Sequence, residues 1–432
     1  MTKMSYWFKP NWRDILLDYQ DEVIMPSVSA SLEWAINKGH KVELIRDMAE
    51  AVLNYERATE YTNIQAHFKV ENLMKENVDE LEHQLGRIIV WNNQNVNMIL
   101  CPIVNECKAR FKNLFNDNLL TYTDGMDMVT LNKHLSKNSR SKYMVELDLS
   151  KQDRQTDKQI IDFEQWLLTE LGLDGRVVHY MNGILDGFSL KTPDNVTGFM
   201  PTMHLSGGAM TSLGNEMRNL LLLSDICKGK AVNHVYRLGD DSLILTDDDF
   251  DGKYVAIVAA NNHNVKCTFT TSEDSGVFLQ LIVMWINGRY IAVHNFMRLK
   301  DKLAYSPYNA DSDEFKSKTA SYLLMIGNHY LTSKRLLELG FNGTVPLGTT
   351  MEDRLEANAL HNNCDVADIL NVIHDIVVVS YGKHESKITI TGVGVLSYRH
   401  LKSGIHMTKG RQSDTSLLAS FQSAVQQELD SN

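Results

Sequence analysis

The fold is decided by the stretch VNHVYRLGDDSLIL, residues 232–245. Apolar and β-branched residues on both sides of Gly239-Asp240-Asp241 are typical of two strands joined by a tight turn. The turn places two like charges side by side at the tip of a hairpin, where folding alone does not require them. Because aspartate is common in turns, the tripeptide by itself does not decide between a structural turn and a functional site.

A second predicted strand also ends in a carboxylate. Residues 143–149, YMVELDL, alternate as a strand does, and Asp148 precedes Asp240 by 92 residues. If the two strands pair, Asp148 and Asp240 face one spot. Two carboxylates together with triphosphate oxygens are ligands that Mg²⁺ prefers. Two such ions about 4 Å apart activate a hydroxyl and stabilise a leaving oxygen, so the pair predicts a site for nucleotidyl transfer.

Between these strands lies SGGAMTSLGN, residues 206–215. Paired glycines allow a sharp loop that can approach a nucleic-acid backbone closely. Thr211 and Asn215 are four residues apart and therefore share one helix face. Such a polar pair can simply cap or pack a helix. Together with Asp153, however, it forms a candidate hydrogen-bonding set for a ribose 2′-hydroxyl, which disfavours a substrate lacking that group.

The remaining pattern predicts mixed helices and strands. The first eighty residues are predicted to be mainly helical, and residues 97–114, 160–171 and 209–226 have the periodicity of amphipathic helices. A short strand is predicted at 88–91. A second hairpin is predicted from Leu279–Ile286 and Tyr290–Phe296, joined by Asn287-Gly288 in a type I′ turn. The last 130 residues are predicted to be mainly helical, ending in a polar tail from about Gln412.

Composition limits the class of protein. The 432 residues carry 43 Lys and Arg against 54 Asp and Glu, a net charge of −11 that excludes a wholly basic nucleic-acid coat but permits a local basic groove. The five cysteines are scattered without a Cys-x-x-Cys pair, so neither a zinc site nor a disulfide framework is predicted. No apolar run approaches the roughly 18 residues of a membrane span. We therefore expect a soluble intracellular protein with no intrinsic membrane span.

The order of the motifs resembles viral RNA-dependent RNA polymerases of positive-strand RNA viruses. Within them it is most similar to the alphavirus-like supergroup of tobamovirus- and bromovirus-type replicases. Residues 146–154, ELDLSKQDR, match the family's motif A, residues 206–215 match motif B, and residues 239–242, GDDS, match motif C. Motifs D to F resemble the family less closely. The likeness covers roughly residues 65 to 305.

This resemblance implies an α+β right-hand polymerase with fingers, palm and thumb, and an antiparallel palm sheet flanked by helices. Residues 1–142 would form the N-terminal fingers and fingertips, and 143–302 the palm with a fingers insertion near 176–204. Residues 303–432 would form a mainly helical thumb and the polar tail. The implied activity is template-directed addition of ribonucleoside triphosphates to an RNA 3′-hydroxyl by two-metal-ion transfer, in viral genome replication and transcription. The alternative is a catalytically silent, palm-like RNA-binding platform of a replicase complex.

The resemblance also implies roles for individual residues. Asp148, Asp240 and Asp241 would hold two Mg²⁺ ions, for which Mn²⁺ could substitute, and would be catalytic. Lys266 is a candidate general acid for pyrophosphate, although a solvated lysine is the simpler interpretation. The candidate nucleotide-binding residues are Asp153, Ser206, Gly207, Thr211, Asn215 and Arg87.

Two acid-free basic runs are candidates for RNA contacts, because backbone charge dominates nucleic-acid affinity. Each run alone is more typical of a solvated surface. Their candidate RNA-binding residues are Lys133, Lys137, Arg140, Arg399, Lys402, Lys409 and Arg411.

The implied partners are the RNA template and product duplex, ribonucleoside triphosphates, and other viral replicase components. A helicase and a capping enzyme are expected among the latter, since the chain has no glycine-lysine-threonine phosphate loop and no capping pattern. The expected location is the host cytoplasm, with recruitment to membrane-associated replication complexes through partners.

Two rival interpretations are weaker. Asp153 and Asn215 argue against a reverse transcriptase, because DNA synthesis requires exclusion of the 2′-hydroxyl. Residues 247–252, DDDFDG, begin like a calcium loop. That loop needs a glutamate where the chain has Val258, so we expect a solvated acidic turn.

Overall fold

The computed structural model describes residues 1–40, 64–68, 88–92, 94–150, 156–185, 188–191, 197–200, 204–304, 306, 308–341, 344–381, 388–390 and 394–396. A short 3₁₀ helix spans Met4–Trp7. The α-helices are α1 (Trp12–Asp21), α2 (Val28–Asn37), α3 (Gln94–Asn113), α4 (Met128–Leu135), α5 (Lys158–Glu170), α6 (Gly175–Leu185), α7 (Thr211–Ile226), α8 (Gly252–His263), α9 (Phe296–Ala304), α10 (Asp313–Ile326), α11 (Tyr330–Glu338), α12 (Met351–His361) and α13 (Val366–Ser380).

The strands are β1 (Ile64–Phe68), β2 (Ile88–Asn92), β3 (Leu120–Tyr122), β4 (Tyr143–Ser150), β5 (Phe188–Lys191), β6 (Thr197–Met200), β7 (Val232–Leu238), β8 (Asp241–Thr246), β9 (Lys266–Ser272), β10 (Ser275–Phe278), β11 (Leu281–Ile286), β12 (Arg289–His294), β13 (Ile388–Ile390) and β14 (Gly394–Leu396). The chain divides into two compact units. The first comprises Met1–Lys69, Gln84–Asp124 and Ser141–Glu273, and the second comprises Val70–His83, Gly125–Arg140 and Asp274–Asn432.

A five-stranded sheet forms the centre of the first unit, in the order β3-β7-β8-β4-β9. Only β3 and β7 are parallel neighbours, and every other pair in this sheet is antiparallel. Val145 and Leu147 of β4 are fully buried, as the alternating sequence predicts, and they join one core with Leu167 of α5 and Leu220 of α7. The predicted α+β fold with an antiparallel sheet flanked by helices is confirmed.

A second sheet of the first unit has the order β2-β1-β5-β6. Strand β2 lies where the run at 88–91 predicts a strand, but β1 falls within the first eighty residues, which the pattern predicts to be mainly helical. The prediction is wrong at Ile64–Phe68. There Ile64 lies opposite Asn92 in an antiparallel pair and opposite Leu190 in a parallel one. These distant partners, rather than local propensity, determine the strand.

The second unit combines the antiparallel sheet β10-β11-β12 with α9 to α13, whose buried apolar side chains form a core. The predicted hairpin at Asn287-Gly288 is confirmed, and both residues have the positive φ, 50° and 79°, of a type I′ turn. The strand predicted to begin at Leu279 begins at Leu281. Leu279 and Gln280 have positive φ, 52° and 65°, and form the turn of a further hairpin between β10 and β11.

The division at 142 and 302 into fingers, palm and thumb stays a prediction. The polar tail lies outside the described residues. All five cysteines are described, and none forms a disulfide. In the described ranges, no helix combines the length and the apolar character needed to cross a membrane.

Candidate active site

The sheet register brings two of the predicted metal ligands together. Strand β4 pairs antiparallel with β8, and Asp148 lies opposite Asp241. Residues directly opposite on antiparallel strands carry neighbouring side chains on one face of the sheet. Asp240 is exposed in the turn next to Asp241. The predicted strand pairing is therefore confirmed, with Asp241 rather than Asp240 as the direct partner of Asp148.

The carboxylates at the Asp148 end of β4 favour binding of a cation. Partial burial raises the pKa of the Asp148 carboxyl above its usual value, because desolvation disfavours the charged form. A bound positive charge would offset that cost. Among the described residues, no group of three or more His, Cys, Asp and Glu side chains that could hold a metal ion is present. Mg²⁺ is typically held by one or two carboxylates plus substrate phosphates, and the Asp148 and Asp241 pair fits that requirement.

Lys266 lies at the same end of the sheet. Strand β9 pairs with β4 on the side away from β8, with Thr268 opposite Asp148 and Lys266 opposite Ser150. Because side chains two residues apart on a strand share a face, Lys266 is on the face of Asp148, and it is exposed. Lys266 therefore lies at the same end of the sheet as Asp148 and on the same face.

The turn between β7 and β8 is held by helix α7. Gly239 has φ 64°, a left-handed conformation that glycine adopts without strain. Its N–H donates to Glu216 Oε1, and its carbonyl oxygen accepts from Asn219 Nδ2 at 3.0 Å. Asn219 Nδ2 also donates to Ser242 Oγ at 3.0 Å. Two side chains of α7 therefore contact the backbone that carries Asp240.

Glu216 also forms an ion pair with Arg237 inside the first unit. Glu216 Oε2 lies 2.5 Å from an Arg237 guanidinium nitrogen, and both residues are fully buried. Burial raises the pKa of Glu216, and the nearby guanidinium partly opposes that shift. Glu216, Asn219 and Arg237 are not among the residues predicted from the sequence. One signal was available for Asn219, since it lies four residues after Asn215 on the same helix face.

The loop before α7 is fastened to β2. Ser206 Oγ accepts from the Val90 N–H at 3.0 Å, and the Gly207 N–H donates to the Val90 carbonyl at 2.8 Å. A Cβ at Gly207 would lie 3.2 Å from Trp91 Cβ. The Thr211 hydroxyl donates to the Leu205 carbonyl. The lack of a side chain at Gly207 therefore allows the loop to lie close to β2, the strand predicted at 88–91. The hydrogen bond of Thr211 stabilises the same loop.

Asn215 is half-buried on α7, one residue before Glu216 and one turn before Asn219. It therefore lies on the helix face that contacts the Gly239 turn. Beneath the helix, Glu164 of α5 and His204 form a buried pair with 2.7 Å between Glu164 Oε2 and His204 Nε2. This pair ties the helix that follows β4 to the start of the Ser206 loop.

The other predicted contacts belong to the second unit or lie outside the described residues. Lys133, Lys137 and Arg140 are exposed in and just after α4, in the second unit. The predicted residues outside the described ranges are Arg87, Asp153, Arg399, Lys402, Lys409 and Arg411. Asp153 follows the end of β4 by three residues.

The acidic segment after β8 has structural contacts. Asp247 Oδ1 accepts from the Lys142 N–H at 2.9 Å, and Asp248 Oδ2 accepts from the Ala231 N–H at 2.7 Å. Asp251 caps α8 through the Lys253 N–H at 2.9 Å. These carboxylates accept backbone hydrogen bonds, as turn and cap residues do.

Comparison with known proteins identifies the family. A family model described as RNA-dependent RNA polymerase matches residues 17–322, which include both aspartate-bearing strands and α7. The chain belongs to the RNA-dependent RNA polymerase family. The predicted resemblance is confirmed, and with it the enzyme class, a nucleotidyltransferase.

Two curated relatives are viral replicases. Replicase polyprotein 1ab of Grapevine leafroll-associated virus 3 is 30% identical over 170 residues, which are 38% of this chain and 6% of that protein. Replicase polyprotein 1ab of Beet yellows virus is 24% identical over 170 residues, 39% of this chain and 6% of that protein. The matched segment is thus a small part of much longer replicases.

Two solved structures of a human picobirnavirus RNA-dependent RNA polymerase are also similar. The insertion-loop deletion mutant has a TM-score of 0.46 at 18% identity, over 67% of this chain and 60% of that one. The other structure has a TM-score of 0.48 at 14% identity, over 70% of this chain and 59% of that one.

Proposed function

We propose that this polymerase chain adds ribonucleotides to the 3′-hydroxyl of an RNA strand under the direction of an RNA template, in viral genome replication and transcription. In this reaction the 3′-oxygen forms a bond to the α-phosphorus, the bond to the pyrophosphate oxygen breaks, and the hydroxyl proton is released. The observation that carries the proposal is the register of β4 and β8, which sets Asp148 opposite Asp241 beside the exposed Asp240.

Asp148, Asp240 and Asp241 would hold two Mg²⁺ ions, with Mn²⁺ as a substitute. Bound there, the ions would lower the pKa of the attacking hydroxyl and stabilise the leaving oxygen. Lys266, on the face of Asp148, would donate a proton to the pyrophosphate. Positioning and charge stabilisation are expected to supply most of the rate, as they do in phosphoryl transfer generally.

Substrate selection would be the task of α7 and the loop before it. Asn215 with Asp153 and Thr211 would bond the ribose 2′-hydroxyl, and Ser206 and Gly207 would seat the template and the new base pair. Arg87 is proposed to contact the triphosphate. Exposed Lys133, Lys137 and Arg140 would contact RNA phosphates, as would Arg399, Lys402, Lys409 and Arg411.

The similarity to viral replicases supports a role for the chain within a larger replicase. We propose that the polymerase works with a helicase and a capping enzyme of the same replicase, in the host cytoplasm. Recruitment to membrane-associated replication complexes would depend on those partners.

The test is incorporation of labelled ribonucleotides on a primed RNA template with Mg²⁺. We expect template-dependent product from the wild-type chain and a loss of at least 100-fold in Asp240→Ala, because a metal ligand is removed. The matched control is Asp249→Ala, the same change at an exposed aspartate beyond the other end of β8, and it should retain activity. Binding of RNA with no product from the wild-type chain would favour the silent platform instead, and efficient use of deoxyribonucleotides would favour a reverse transcriptase.

A further inference from the structure

Two side chains of helix α7 form hydrogen bonds with the backbone of Gly239, one with its N–H and one with its carbonyl oxygen. Glu216 accepts the hydrogen bond of the Gly239 N–H, and Asn219 donates to the Gly239 carbonyl. The two side chains are three residues apart on one helix face. Asn219 reaches past the turn to Ser242 Oγ as well, so the contacts bracket Asp240 and Asp241 on both sides.

The hairpin does not need these contacts in order to close. Leu238 and Asp241 already pair across the turn, and glycine adopts the left-handed conformation of Gly239 without strain. What the α7 side chains determine is where the turn lies relative to the helix. The position of the two aspartates follows from it, because they come directly after Gly239.

The buried ion pair points to the same role. Burying two charged groups costs desolvation energy, and replacing a buried ion pair with well-packed apolar residues is often neutral or stabilising. Stability is therefore a poor explanation for the pair. A pair that fixes the Glu216 carboxylate in one orientation, with one oxygen on Arg237 and the other on the Gly239 N–H, explains both of its contacts.

We propose that Glu216 and Asn219 are positioning residues that set Asp240 and Asp241 for divalent-ion binding. The proposal rests on the proposed function, since it assumes that these aspartates hold the ions. Asn215 sits one residue before Glu216, so the same helix would link recognition of the ribose to placement of the carboxylates.

The test measures Mn²⁺ binding directly, by the electron paramagnetic resonance signal of free Mn²⁺ titrated with the full chain. Loss of groups that orient metal ligands typically weakens metal affinity 10- to 100-fold. We expect Asn219→Ala to raise the Kd of the Asp240-dependent Mn²⁺ site about 10-fold and to lower kcat, with the KM for nucleotide within about 3-fold of wild type. Ser242→Ala, which removes one of the two acceptors of Asn219, should have a smaller effect in the same direction.

The matched control is Asn358→Ala. Asn358 is also a fully buried asparagine on a helix, α12, and its Nδ2 donates to the His294 carbonyl at the end of β12. Its substitution should cost similar stability and leave the Mn²⁺ Kd unchanged.

The proposal is overturned if Asn219→Ala and Ser242→Ala both keep the wild-type Kd, or if Asn358→Ala weakens binding as much as Asn219→Ala does. Should Asn219→Ala fail to fold, the Kd of Ser242→Ala decides. A wild-type chain that makes RNA but shows no Asn219 effect would refute this inference alone. A chain with neither product nor Asp240-dependent Mn²⁺ binding would refute the proposed function as well.

Discussion

At Gly214 of α7, the neighbouring atoms of the first unit leave no room for a side chain. A Cβ at Gly214 would lie 2.7 Å from both Glu164 Oε1 and His204 Nε2, the buried pair that links α5 to the Ser206 loop. The Glu164 carboxylate and the His204 ring are buried and hydrogen-bonded to each other, so neither can withdraw cheaply. The absence of a side chain at Gly214 is therefore a packing requirement, distinct from the conformational freedom that glycine supplies at Gly239.

We expect Gly214→Ala to lower the free energy of unfolding by about 1 to 3 kcal/mol, the usual cost of overpacking a core. Urea denaturation of the purified chain measures it. Gly175→Ala is the control, because a Cβ at this first residue of α6 meets no atom within 4 Å. It should leave stability unchanged or raise it by up to about 1 kcal/mol. Equal stability of the two variants would contradict the packing argument.

The β7–β8 hairpin is an element whose turn is set by one backbone angle. A Cβ at Gly239 would meet no atom within 4 Å, so space does not limit substitution there. The φ of 64° limits substitution instead, because most residues with a Cβ are strained in the left-handed region.

Gly239→Ala should therefore lower the free energy of unfolding by about 1 to 2 kcal/mol. Gly239→Asn should cost less, since asparagine tolerates that region better than alanine does. Thermal unfolding of both variants measures the order. An alanine variant as stable as the asparagine variant would mean that the angle is not what constrains the turn.

At the scale of the whole molecule, a local group of exposed basic residues contrasts with the negative net charge of the chain. The chain carries −11 overall, yet Lys133, Lys137 and Arg140 are exposed close together in sequence, with no acid among them. RNA is bound largely through release of its counterions, so a local basic surface outweighs the net charge.

Replacing these three residues with alanine should weaken RNA binding. It should also reduce the steepness with which the logarithm of the RNA association constant falls with the logarithm of the salt concentration. The expected decrease in slope is about 2, at about 0.7 per lost phosphate contact on single strands. Fluorescence anisotropy with labelled RNA at several salt concentrations measures both. The control replaces exposed Lys228, Lys253 and Lys316. The same loss of slope in the control would show that net charge, rather than this surface, is responsible.

The sequence by itself determined the elements whose signals are local. Alternating apolar residues predicted β4, the Asn-Gly dipeptide predicted the β11–β12 turn, and the motif order around Gly239-Asp240-Asp241 predicted the family. The first two depend on residues a few positions apart, where periodicity and turn chemistry act, and the third depends only on the order of short motifs along the chain.

The tertiary structure decided what depends on distant partners. Strand β1 forms because Ile64 pairs with residues 28 and 126 positions away. Asp241, rather than Asp240, lies opposite Asp148, because register is a property of two strands together. Glu216, Asn219 and Arg237 acquire their roles only when α7 packs against the β7–β8 turn. The hydrogen-bond and ion-pair partners of these three residues are set by packing, and no local pattern encodes them.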